Sequence, residues 1–417
     1  MYFSTLSEWL NWISTLHPSD IELGLTRIKI VASRLGILSP TCPVICVGGT
    51  NGKGSTIASL DAIYRAALYN VGTFTSPVLF RHNEYVTING KHPDDHAFCL
   101  AFEKIESARE NISLTPFEFY TLAALLLFQK QSLDIILLEV GLGGRLDAVN
   151  IIDADIAIVT SIDIDHQDWL GSTREKIALE KAGIFRSGQL AIYGDFSPPQ
   201  TLLHYANQLN TILFCQGKEF NFQKEPQSWI WSYNKVTYTK LPCTSIALQN
   251  MSIALMAIEL LQSQLPVHRQ ALDQGLMQIN LPGRIQVLSG NITKILDVSH
   301  NPAAVTFLAN QLKRMPCQGK TYAVFSMLVD KDIVGSIKAI NTMISNWFCA
   351  PLSVKRGATQ QELMQAFQQA GVDKVSFFST IKEAFQAAEI KANINDRIIV
   401  FGSFHTVAST WKLVWNI

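Results

Sequence analysis

A glycine-rich segment with a single lysine, GGTNGKGS at residues 48–55, follows a short apolar run and precedes a helical pattern. Glycines let the backbone turn successive N–H groups toward one point, and the helix that comes next adds the positive end of its dipole. Lys53 would give a full positive charge to terminal phosphates, and the hydroxyl of Ser55 or Thr56 would bind Mg²⁺. We therefore predict a phosphate-binding loop; the alternative is a glycine-rich surface turn.

The spacing of this loop narrows the class of nucleotide-binding protein. A glycine separates the lysine from the hydroxyl, unlike in the common G-x-x-x-x-G-K-[ST] loop. The chain also lacks the Asn-Lys-x-Asp motif that recognises guanine. These observations disfavour Ras-like GTPases, and the first also disfavours most small-molecule kinases.

Polar side chains end two further apolar runs. Glu139 lies at the end of the run that begins at residue 134, and His166 follows the run at residues 155–162. The carboxyl ends of parallel strands meet at one edge of a sheet, where a nucleotide-bound Mg²⁺ would need ligands. We therefore expect Glu139 and His166 to take part in a metal site. The alternatives are a solvated glutamate and a structural histidine.

Four further polar residues are weaker candidates on spacing alone. Arg284 lies in a Pro-Gly-Arg turn, and Asp297 and His300 follow the first apolar run of a second strand–helix alternation. A nucleotide held between two domains would need cationic and ribose-binding groups from the second domain. Lys181 lies near the end of a helical pattern, where charged residues usually form a solvated face, so spacing does not single it out.

The order of the elements predicts the fold class. Near-continuous apolar runs of strand length alternate with helical patterns, which is typical of a parallel sheet covered by helices on both faces. A second alternation begins near residue 292, and a Pro-Gly turn signal lies just upstream. We predict an α/β protein with one domain at residues 1–287 and a smaller α/β domain at residues 288–417. Residues 215–245 show no clear periodicity and receive no assignment.

Composition excludes several kinds of partner. The chain has 417 residues with 34 basic and 34 acidic side chains, so it has no basic field to hold nucleic acid or an anionic membrane. Its apolar runs fall short of the roughly 20 residues that span a bilayer. The seven cysteines form no Cys-x-x-Cys pair, and the first residues lack the basic start of a secretory signal. We expect a cytoplasmic, monomeric protein with reduced thiols.

Taken in order, these segments resemble the Mur-ligase-like ATP-dependent amide ligases, and more closely the bacterial dihydrofolate synthase/folylpolyglutamate synthase family. The resemblance covers essentially the whole chain and rests on GGTNGKGS, TSPVLFRHNE, LLEVGLGGRLDAVN, TSIDIDHQDWLG, EKAGIFRSG, LPGR, DVSHNP, SMLVDKD and GSFHTVA. It implies a large N-terminal P-loop ATPase domain with a mostly parallel sheet, which also binds the pterin or folate. A smaller Rossmann-like C-terminal domain would close over ATP and bind glutamate.

The resemblance also implies roles for individual residues. ATP would contact Thr50, Asn51, Gly52, Lys53, Gly54, Ser55, Asn250, Arg284 and Asp297. Two Mg²⁺ ions would be bound by Ser76, Glu139 and His166. Dihydropteroate would be bound by Leu16, His17, Thr115, Phe117, Glu118, Leu146, Asp147 and Ala148. Catalysis would involve Lys53, His300 and a Lys181 carbamylated by CO₂. One departure is Val78, which stands where this family often has histidine.

The implied reaction forms an amide. A carboxylate is a poor acyl donor, so ATP first converts it to an acyl phosphate, which the amine of L-glutamate then attacks. The acid would be dihydropteroate in one reaction and reduced folates in the other. Three alternatives stay open: a Mur-type ligase that acts on a UDP-linked muropeptide, a small-molecule kinase that leaves a stable phosphorylated product, and a nucleotide-gated binding protein without turnover.

Overall fold

The computed structural model describes residues 3–19 and 21–415. The chain divides into two compact units, Met1–Asn280 and Leu281–Ile417. The sequence predicts this boundary after residue 287. The segment between the two positions belongs with the second unit because its backbone is hydrogen-bonded there: the Val298 amide donates to the Gly283 carbonyl at 2.8 Å, and the Ile285 amide donates to Asp297 at 2.9 Å.

The first unit is built on a seven-stranded sheet in the order β3-β2-β4-β1-β5-β6-β7. Its strands are β1 (Val44–Gly48), β2 (Val71–Phe74), β3 (Val86–Ile88), β4 (Ile135–Glu139), β5 (Ile156–Val159), β6 (Leu190–Tyr193) and β7 (Ile212–Cys215). β3 pairs antiparallel with β2, and the other neighbours pair parallel. Every residue of β1, β4 and β5 is buried, as expected for strands covered on both faces. The predicted α/β class with a mostly parallel sheet is confirmed.

The register at the centre of this sheet aligns three strand ends. β1 lies between β4 and β5, with Val47 opposite Glu139 and Gly48 opposite Val159. The three segments that come after these strands therefore start at the same level of the sheet edge. This edge carries the phosphate-loop candidate and both predicted metal-binding segments.

The α-helices of the first unit connect its strands. They are α1 (Leu6–Ile13), α2 (Thr26–Leu35), α3 (Lys53–Ala66), α4 (Asp95–Arg109), α5 (Pro116–Gln129), α6 (Gln167–Leu170), α7 (Arg174–Ala182), α8 (Gln200–Gln208), α9 (Leu248–Leu261) and α10 (Arg269–Gln278). α5 shows why the sequence predicts a helix: Pro116 occupies its first turn, where a missing N–H costs nothing, and the later residues are almost all buried apolar ones.

The region without an assignment from the sequence forms an antiparallel sheet in the order β10-β9-β8. Its strands are β8 (Phe220–Lys224), β9 (Ser228–Tyr233) and β10 (Val236–Pro242). Trp229 and Trp231 of β9 are fully buried, and the Trp231 indole N–H donates to the Ser252 hydroxyl at 3.1 Å. A register shift between Tyr238 and Leu241 interrupts the alternation of apolar and polar residues in β10, which explains why the periodicity is hard to read.

The second unit contains a six-stranded sheet in the order β11-β12-β16-β13-β14-β15. Its strands are β11 (Gln286–Leu288), β12 (Thr293–Leu296), β13 (Thr321–Phe325), β14 (Asn346–Cys349), β15 (Val375–Phe377) and β16 (Arg397–Phe401). Its helices are α11 (Pro302–Arg314), α12 (Ile333–Ile340), α13 (Gln360–Ala370), α14 (Ile381–Lys391) and α15 (Phe404–Trp415). β11 pairs antiparallel with β12, and the rest of the sheet is parallel. Within residues 3–19 and 21–415, no helix combines the length and apolar character needed to cross a bilayer.

Candidate functional site

The loop between β1 and α3 is shaped by two glycines with positive φ. Gly49 has a φ of +139°, and a Cβ atom on it would lie 1.9 Å from the Thr160 hydroxyl oxygen. Gly52 has a φ of +91°, and a Cβ atom on it would lie 2.3 Å from the side-chain oxygen of Asn250. A larger residue at either position would be strained and would displace its neighbour. Asn250, a predicted ATP contact, is thereby placed directly against the loop.

The backbone N–H groups of this loop fall into two sets. The Thr50 amide donates to the Ser161 carbonyl at 2.8 Å, and the Asn51 amide donates to the Ser161 hydroxyl at 3.1 Å, so both tie the loop to the end of β5. In the described part of the chain, no side chain caps the start of α3. Because first-turn amides have no acceptor within their own helix, those of Gly54 and Ser55 suit a bound phosphate better than the amides of Thr50 and Asn51.

Lys53 is the first residue of α3, and its Nζ lies 3.2 Å from the Gly49 carbonyl across the loop. The ammonium group and the positive end of the helix dipole therefore act at the same place. The sequence left two hydroxyls open as metal ligands. Ser55 is 8% exposed and Thr56 is fully buried, so Ser55 is the more accessible of the two residues.

Glu139 ends β4 and borders the first turn of α3. Its Oε2 accepts a hydrogen bond from the Ser76 amide at 3.1 Å, and a Cβ atom on Gly54 would lie 3.6 Å from the same oxygen. A carboxylate and the hydroxyls of Ser55 and Ser76 are oxygen donors of the kind that Mg²⁺ prefers. The side chains around the loop thus fit a magnesium-bound nucleotide.

His166 lies on the neighbouring segment, after β5. This segment contacts the phosphate loop at Asp163, whose amide donates to the Thr50 hydroxyl at 3.0 Å. The His166 imidazole Nε2 lies 4.0 Å from the Asp165 carboxylate. Over residues 3–19 and 21–415, no three His, Cys, Asp or Glu side chains are grouped as a metal site. Of the three predicted metal ligands, Ser76 and Glu139 are hydrogen-bonded to each other, and His166 lies at the same edge of the sheet on a separate segment.

Lys181 lies in the last turn of α7 and is only 4% exposed. The loop after β4 packs against its main chain: a Cβ atom on Gly144 would lie 3.1 Å from the Lys181 Cα, and the Arg145 amide donates to the Glu180 carbonyl at 2.7 Å. The solvated helix face that spacing alone suggests is therefore wrong for Lys181. Lys181 is instead a buried residue at the end of α7, against the loop after β4.

Two of the residues predicted to bind dihydropteroate form a reciprocal cap at the start of α5. The Glu118 amide donates to the Thr115 hydroxyl at 3.3 Å, and the Thr115 amide donates to the Glu118 carboxylate at 2.8 Å. The Arg27 guanidinium lies 3.3 Å from Glu118 and also pairs with Glu22. The Glu22 carboxylate lies 3.1 Å from the His17 ring, so polar contacts through Glu22 and Arg27 connect His17 with the start of α5.

Other predicted dihydropteroate contacts lie beside the loop after β4. The Phe117 ring packs on Gly141, the first glycine of this loop. A Cβ atom on Gly141 would lie 2.6 Å from that ring. The Leu146 carbonyl accepts a hydrogen bond from the Gly24 amide at 3.2 Å. The Leu16 carbonyl accepts one from the Ser113 hydroxyl at 3.1 Å, shortly before α5. These contacts involve all three stretches of sequence that contain the predicted residues.

Asp147, also predicted to bind dihydropteroate, has its carboxylate turned into its own loop. Its oxygens accept hydrogen bonds from the Leu142 amide at 2.8 Å and the Val149 amide at 3.0 Å, and a 3-10 helix begins at Ala148. Burial raises the pKa of Asp147 to about 6, while the amides and the charge of Lys53 act to lower it. The Asp147 carboxylate thus holds the loop in its conformation, and it interacts electrostatically with Lys53 of the phosphate loop.

The second unit holds its three candidates near the ends of its own strands. Asp297 follows β12. Its carboxylate oxygens accept hydrogen bonds from the Ile285 amide at 2.9 Å and from the Ser299 amide at 2.8 Å. The Arg284 guanidinium carbon lies 5.7 Å from the centre of the Phe404 ring, and the His300 ring centre lies 6.3 Å from it. Arg284 and His300 therefore share one aromatic neighbour.

Three residues with structural importance were missed by sequence reasoning. Ser161 anchors the phosphate loop, and its position directly after an apolar run was an available signal. Asn150 is a buried amide whose hydrogen bonds join three segments. The Glu84 carboxylate accepts hydrogen bonds from three consecutive amides at residues 79–81, the closest at 2.8 Å. The partners of Glu84 lie three to five residues away, as in a capping box, whereas two partners of Asn150 lie 33 and 36 residues along the chain and have no local signal.

Comparison with known proteins gives a consistent answer along the chain. The Mur ligase middle domain matches residues 47–195, and the Mur ligase glutamate ligase domain matches residues 283–404. The dihydrofolate synthase/folylpolyglutamate synthase of Escherichia coli strain K12 is 42% identical over 99% of this chain and 96% of its own length. The corresponding protein of Haemophilus influenzae is 39% identical over 99% of this chain and 98% of its own length.

Solved structures agree with the sequence comparisons. E. coli FolC in complex with DHPP and ADP has a TM-score of 0.95 at 42% identity and covers 99% of this chain and 98% of that one. A bifunctional folylpolyglutamate synthase/dihydrofolate synthase with Mn, AMPPNP and L-glutamate bound has a TM-score of 0.93, with the same identity and coverage. The family predicted from the sequence is thereby confirmed: the chain belongs to the Mur ligase family and, within it, to the dihydrofolate synthase/folylpolyglutamate synthases.

Proposed function

We propose that this chain is an ATP-dependent ligase that joins L-glutamate to dihydropteroate, and to reduced folates, through an acyl phosphate. The observation that carries the proposal is the meeting of three strand ends: the phosphate loop after β1, Glu139 at the end of β4, and the anchoring hydroxyls after β5. The loop that continues from Glu139 carries three of the residues assigned to the acid substrate. The carboxylate of the acid substrate would therefore be activated beside the nucleotide.

The phosphate loop performs the electrostatic part of the reaction. Lys53 and the first-turn amides of α3 face the position that a terminal phosphate would take, and fixed donors of this kind stabilise the charge that moves during phosphoryl transfer. Thr50 and Asn51 act through the loop's shape, since their amides hold it against Ser161. Asn250 contacts the loop at Gly52, and we assign it to the nucleotide.

Mg²⁺ would be held by Ser76 and Glu139, with His166 as the ligand of a second ion. When bound, Mg²⁺ neutralises phosphate charge during the transfer. Glu139 keeps Ser76 in place through the hydrogen bond from the Ser76 amide. The neighbour that contains Mn and AMPPNP supports a divalent ion and ATP as the cofactor and co-substrate of this chain.

We assign a carbamate to Lys181. The side chain is buried, and its helix turn packs on the loop that carries the acid-substrate residues. Addition of CO₂ would replace the ammonium cation with an anionic group that can accept hydrogen bonds or bind a metal. Protein supplied with ¹³C-bicarbonate should show one carbamate carbon signal that is absent from Lys181→Arg. Active protein without such a signal would refute the assignment.

The second unit would supply Arg284 and Asp297 to the nucleotide, and His300 to the phosphates or ribose, and it would bind L-glutamate. Arg284 and His300 both lie close to the Phe404 ring, so they can act on one ligand. Asp297 fixes the strand ends that carry them, because it accepts the Ile285 amide. The neighbour that contains L-glutamate supports the choice of amino acid.

One assay tests the proposed function. Phosphate release should require ATP, Mg²⁺, L-glutamate and either dihydropteroate or tetrahydrofolate, and mass spectrometry should find a product that contains one more glutamate. Turnover with a UDP-linked muropeptide, and none with the pterin acids, would select a Mur-type ligase instead. A stable phosphorylated product without glutamate would indicate a kinase. Nucleotide binding without turnover on any acid would refute the proposal.

A further inference from the structure

A buried asparagine joins the acid-substrate loop to the turn after Lys181. Asn150 is 4% exposed. Its side-chain amide nitrogen donates to the Arg145 carbonyl at 2.9 Å and to the Gly183 carbonyl at 3.0 Å. Its side-chain oxygen accepts a hydrogen bond from the Arg186 guanidinium at 3.0 Å. One side chain thus connects the loop after β4, the end of α7 and the segment that leads to β6.

The chemistry of these partners fixes the orientation of the Asn150 amide. Two carbonyl oxygens can only accept hydrogen bonds, and a guanidinium can only donate them. The nitrogen must therefore face the carbonyls of Arg145 and Gly183, and the oxygen must face Arg186. Both N–H groups of the amide are used, so no other residue type of this size replaces it.

The contacts around this amide are close on both sides. A Cβ atom on Gly183 would lie 2.3 Å from the Cβ of Arg145, and one on Gly144 would lie 2.7 Å from the Glu180 carbonyl. The Arg145 side chain pairs with Glu180 at 2.8 Å. The loop and the helix end therefore meet without space between them, and a shift of one would move the other.

We propose that Asn150 is a positioning residue for the acid substrate: it holds residues 146–148 in a fixed place relative to Lys181. The inference rests on the proposed function, because it takes these residues as the acid-substrate segment. Asn150 is not assigned to any reacting atom. It acts through the loop, so its loss should weaken binding of the acid and spare the phosphate loop, which is anchored separately at Ser161.

Two variants test the inference. Asn150→Ala removes the connection and leaves two carbonyls without their donor, and Asn150→Asp keeps the shape but turns an acceptor toward them. We expect each to raise the KM for dihydropteroate by about tenfold or more, since buried acceptors lose their partner. The KM for ATP should stay within about twofold of the wild-type value. A mutation that weakens only the binding of dihydropteroate raises the KM for dihydropteroate and not the KM for ATP. Either variant suffices if the other does not fold.

Asp153→Asn is the matched control. Asp153 pairs with the outer side of Arg186 at 2.5 Å and is solvent-exposed, so its loss perturbs the same arginine without breaking the Asn150 contacts. It should leave both KM values unchanged. The inference is overturned if the Asn150 variants raise both KM values equally, if they change neither, or if Asp153→Asn gives the same split. A wild-type protein inactive on both pterin acids would overturn the proposed function and, with it, this inference.

Discussion

The two units use the same turn at the edges of their sheets. In the first unit β1 is followed by Gly49, with a φ of +139°, whose added Cβ would meet the Thr160 hydroxyl at 1.9 Å beyond the end of β5. In the second unit β16 is followed by Gly402, with a φ of +113°, whose added Cβ would meet the Ser326 carbonyl at 2.3 Å beyond the end of β13. In both units a glycine lets the chain pass close to the next strand end before a helix begins.

The two turns differ in the residues between the glycine and the helix. Four residues, 49–52, separate β1 from α3, and no side chain within the described residues caps this helix. Only two residues separate β16 from α15, and the Ser403 hydroxyl accepts the Thr406 amide at 3.0 Å. α3 begins with Lys53, whereas α15 begins with Phe404. Under the proposed function, the β1–α3 turn binds phosphate because its first helical turn is uncapped and carries a cation, whereas the β16–α15 turn is capped by Ser403.

Among the differences between the two turns, loss of the Lys53 cation should have the largest effect on activity. Lys53→Ala should lower ATP-dependent phosphate release by about a thousandfold or more, because fixed charges that act on the transferred group contribute effects of this size. The thermal midpoint should stay close to that of the wild type, which would show that the loss concerns the reaction and not folding. Lys412→Ala, in the last turn of α15, is the matched control and should retain full turnover. Turnover of Lys53→Ala within tenfold of wild type would contradict the loop assignment.

The shared turn itself is tested by adding a methyl group in each unit. Gly49→Ala and Gly402→Ala should each destabilise their own unit by about 3 kcal/mol, from a strained φ together with overpacking. Gly188→Ala and Gly371→Ala are controls with positive φ but no atom within 4 Å of the new methyl, and should cost about 1 kcal/mol.

Two buried thiols can report on the units separately. Burial raises the pKa of Cys46 on β1 to about 12, and it raises the pKa of Cys349 on β14 well above its ordinary value. Both should therefore react with a thiol reagent only when their unit opens. In a denaturant series read by mass spectrometry, Gly49→Ala should expose Cys46 earlier and Gly402→Ala should expose Cys349 earlier. If both variants expose both thiols equally, the units do not unfold independently.

Removal of the cap should have a smaller effect. Ser403→Ala should lower the free energy of unfolding of the second unit by about 1 kcal/mol, the usual cost of losing an N-terminal cap. Ser403→Thr keeps the hydroxyl and should stay close to wild type. The KM for ATP should be unchanged in both variants. A loss of ATP affinity in Ser403→Ala would show that this helix start, too, contacts the phosphates.

The smallest expected effect on stability concerns one buried hydroxyl in each unit. Those of Thr56 in the first unit and Ser326 in the second are buried and have no hydrogen-bond partner among the described residues. Thr56→Val and Ser326→Ala should each stabilise the protein by up to about 1 kcal/mol, because an unpaired polar group is removed. Ser59→Ala is the control, since its hydroxyl donates to the Ser55 carbonyl at 2.8 Å and its loss should destabilise. Lost turnover in Thr56→Val would make Thr56, and not Ser55, the metal hydroxyl.

Much of the fold and of the phosphate loop was predictable because the signals are local. Apolar runs of strand length, the Pro at the first turn of α11 and the glycines at 48–54 each act within a few residues. The family motifs were equally readable, since they are short and occur in a fixed order. The three-stranded sheet was not predictable, because a register shift at Tyr238 hides its alternation.

The sequence alone determined the kinds of groups that this protein can use: one loop lysine, strand-end carboxylates and a balanced overall charge. Only the tertiary structure decided which atoms remain for a ligand. It turned the carboxylates of Asp147 and Asp297 onto backbone amides, paired Glu118 with Arg27, and buried Lys181. The physical reason is that a polar side chain is satisfied by its nearest partner in space, and those partners often lie far apart along the chain, as Arg27 and Glu118 do.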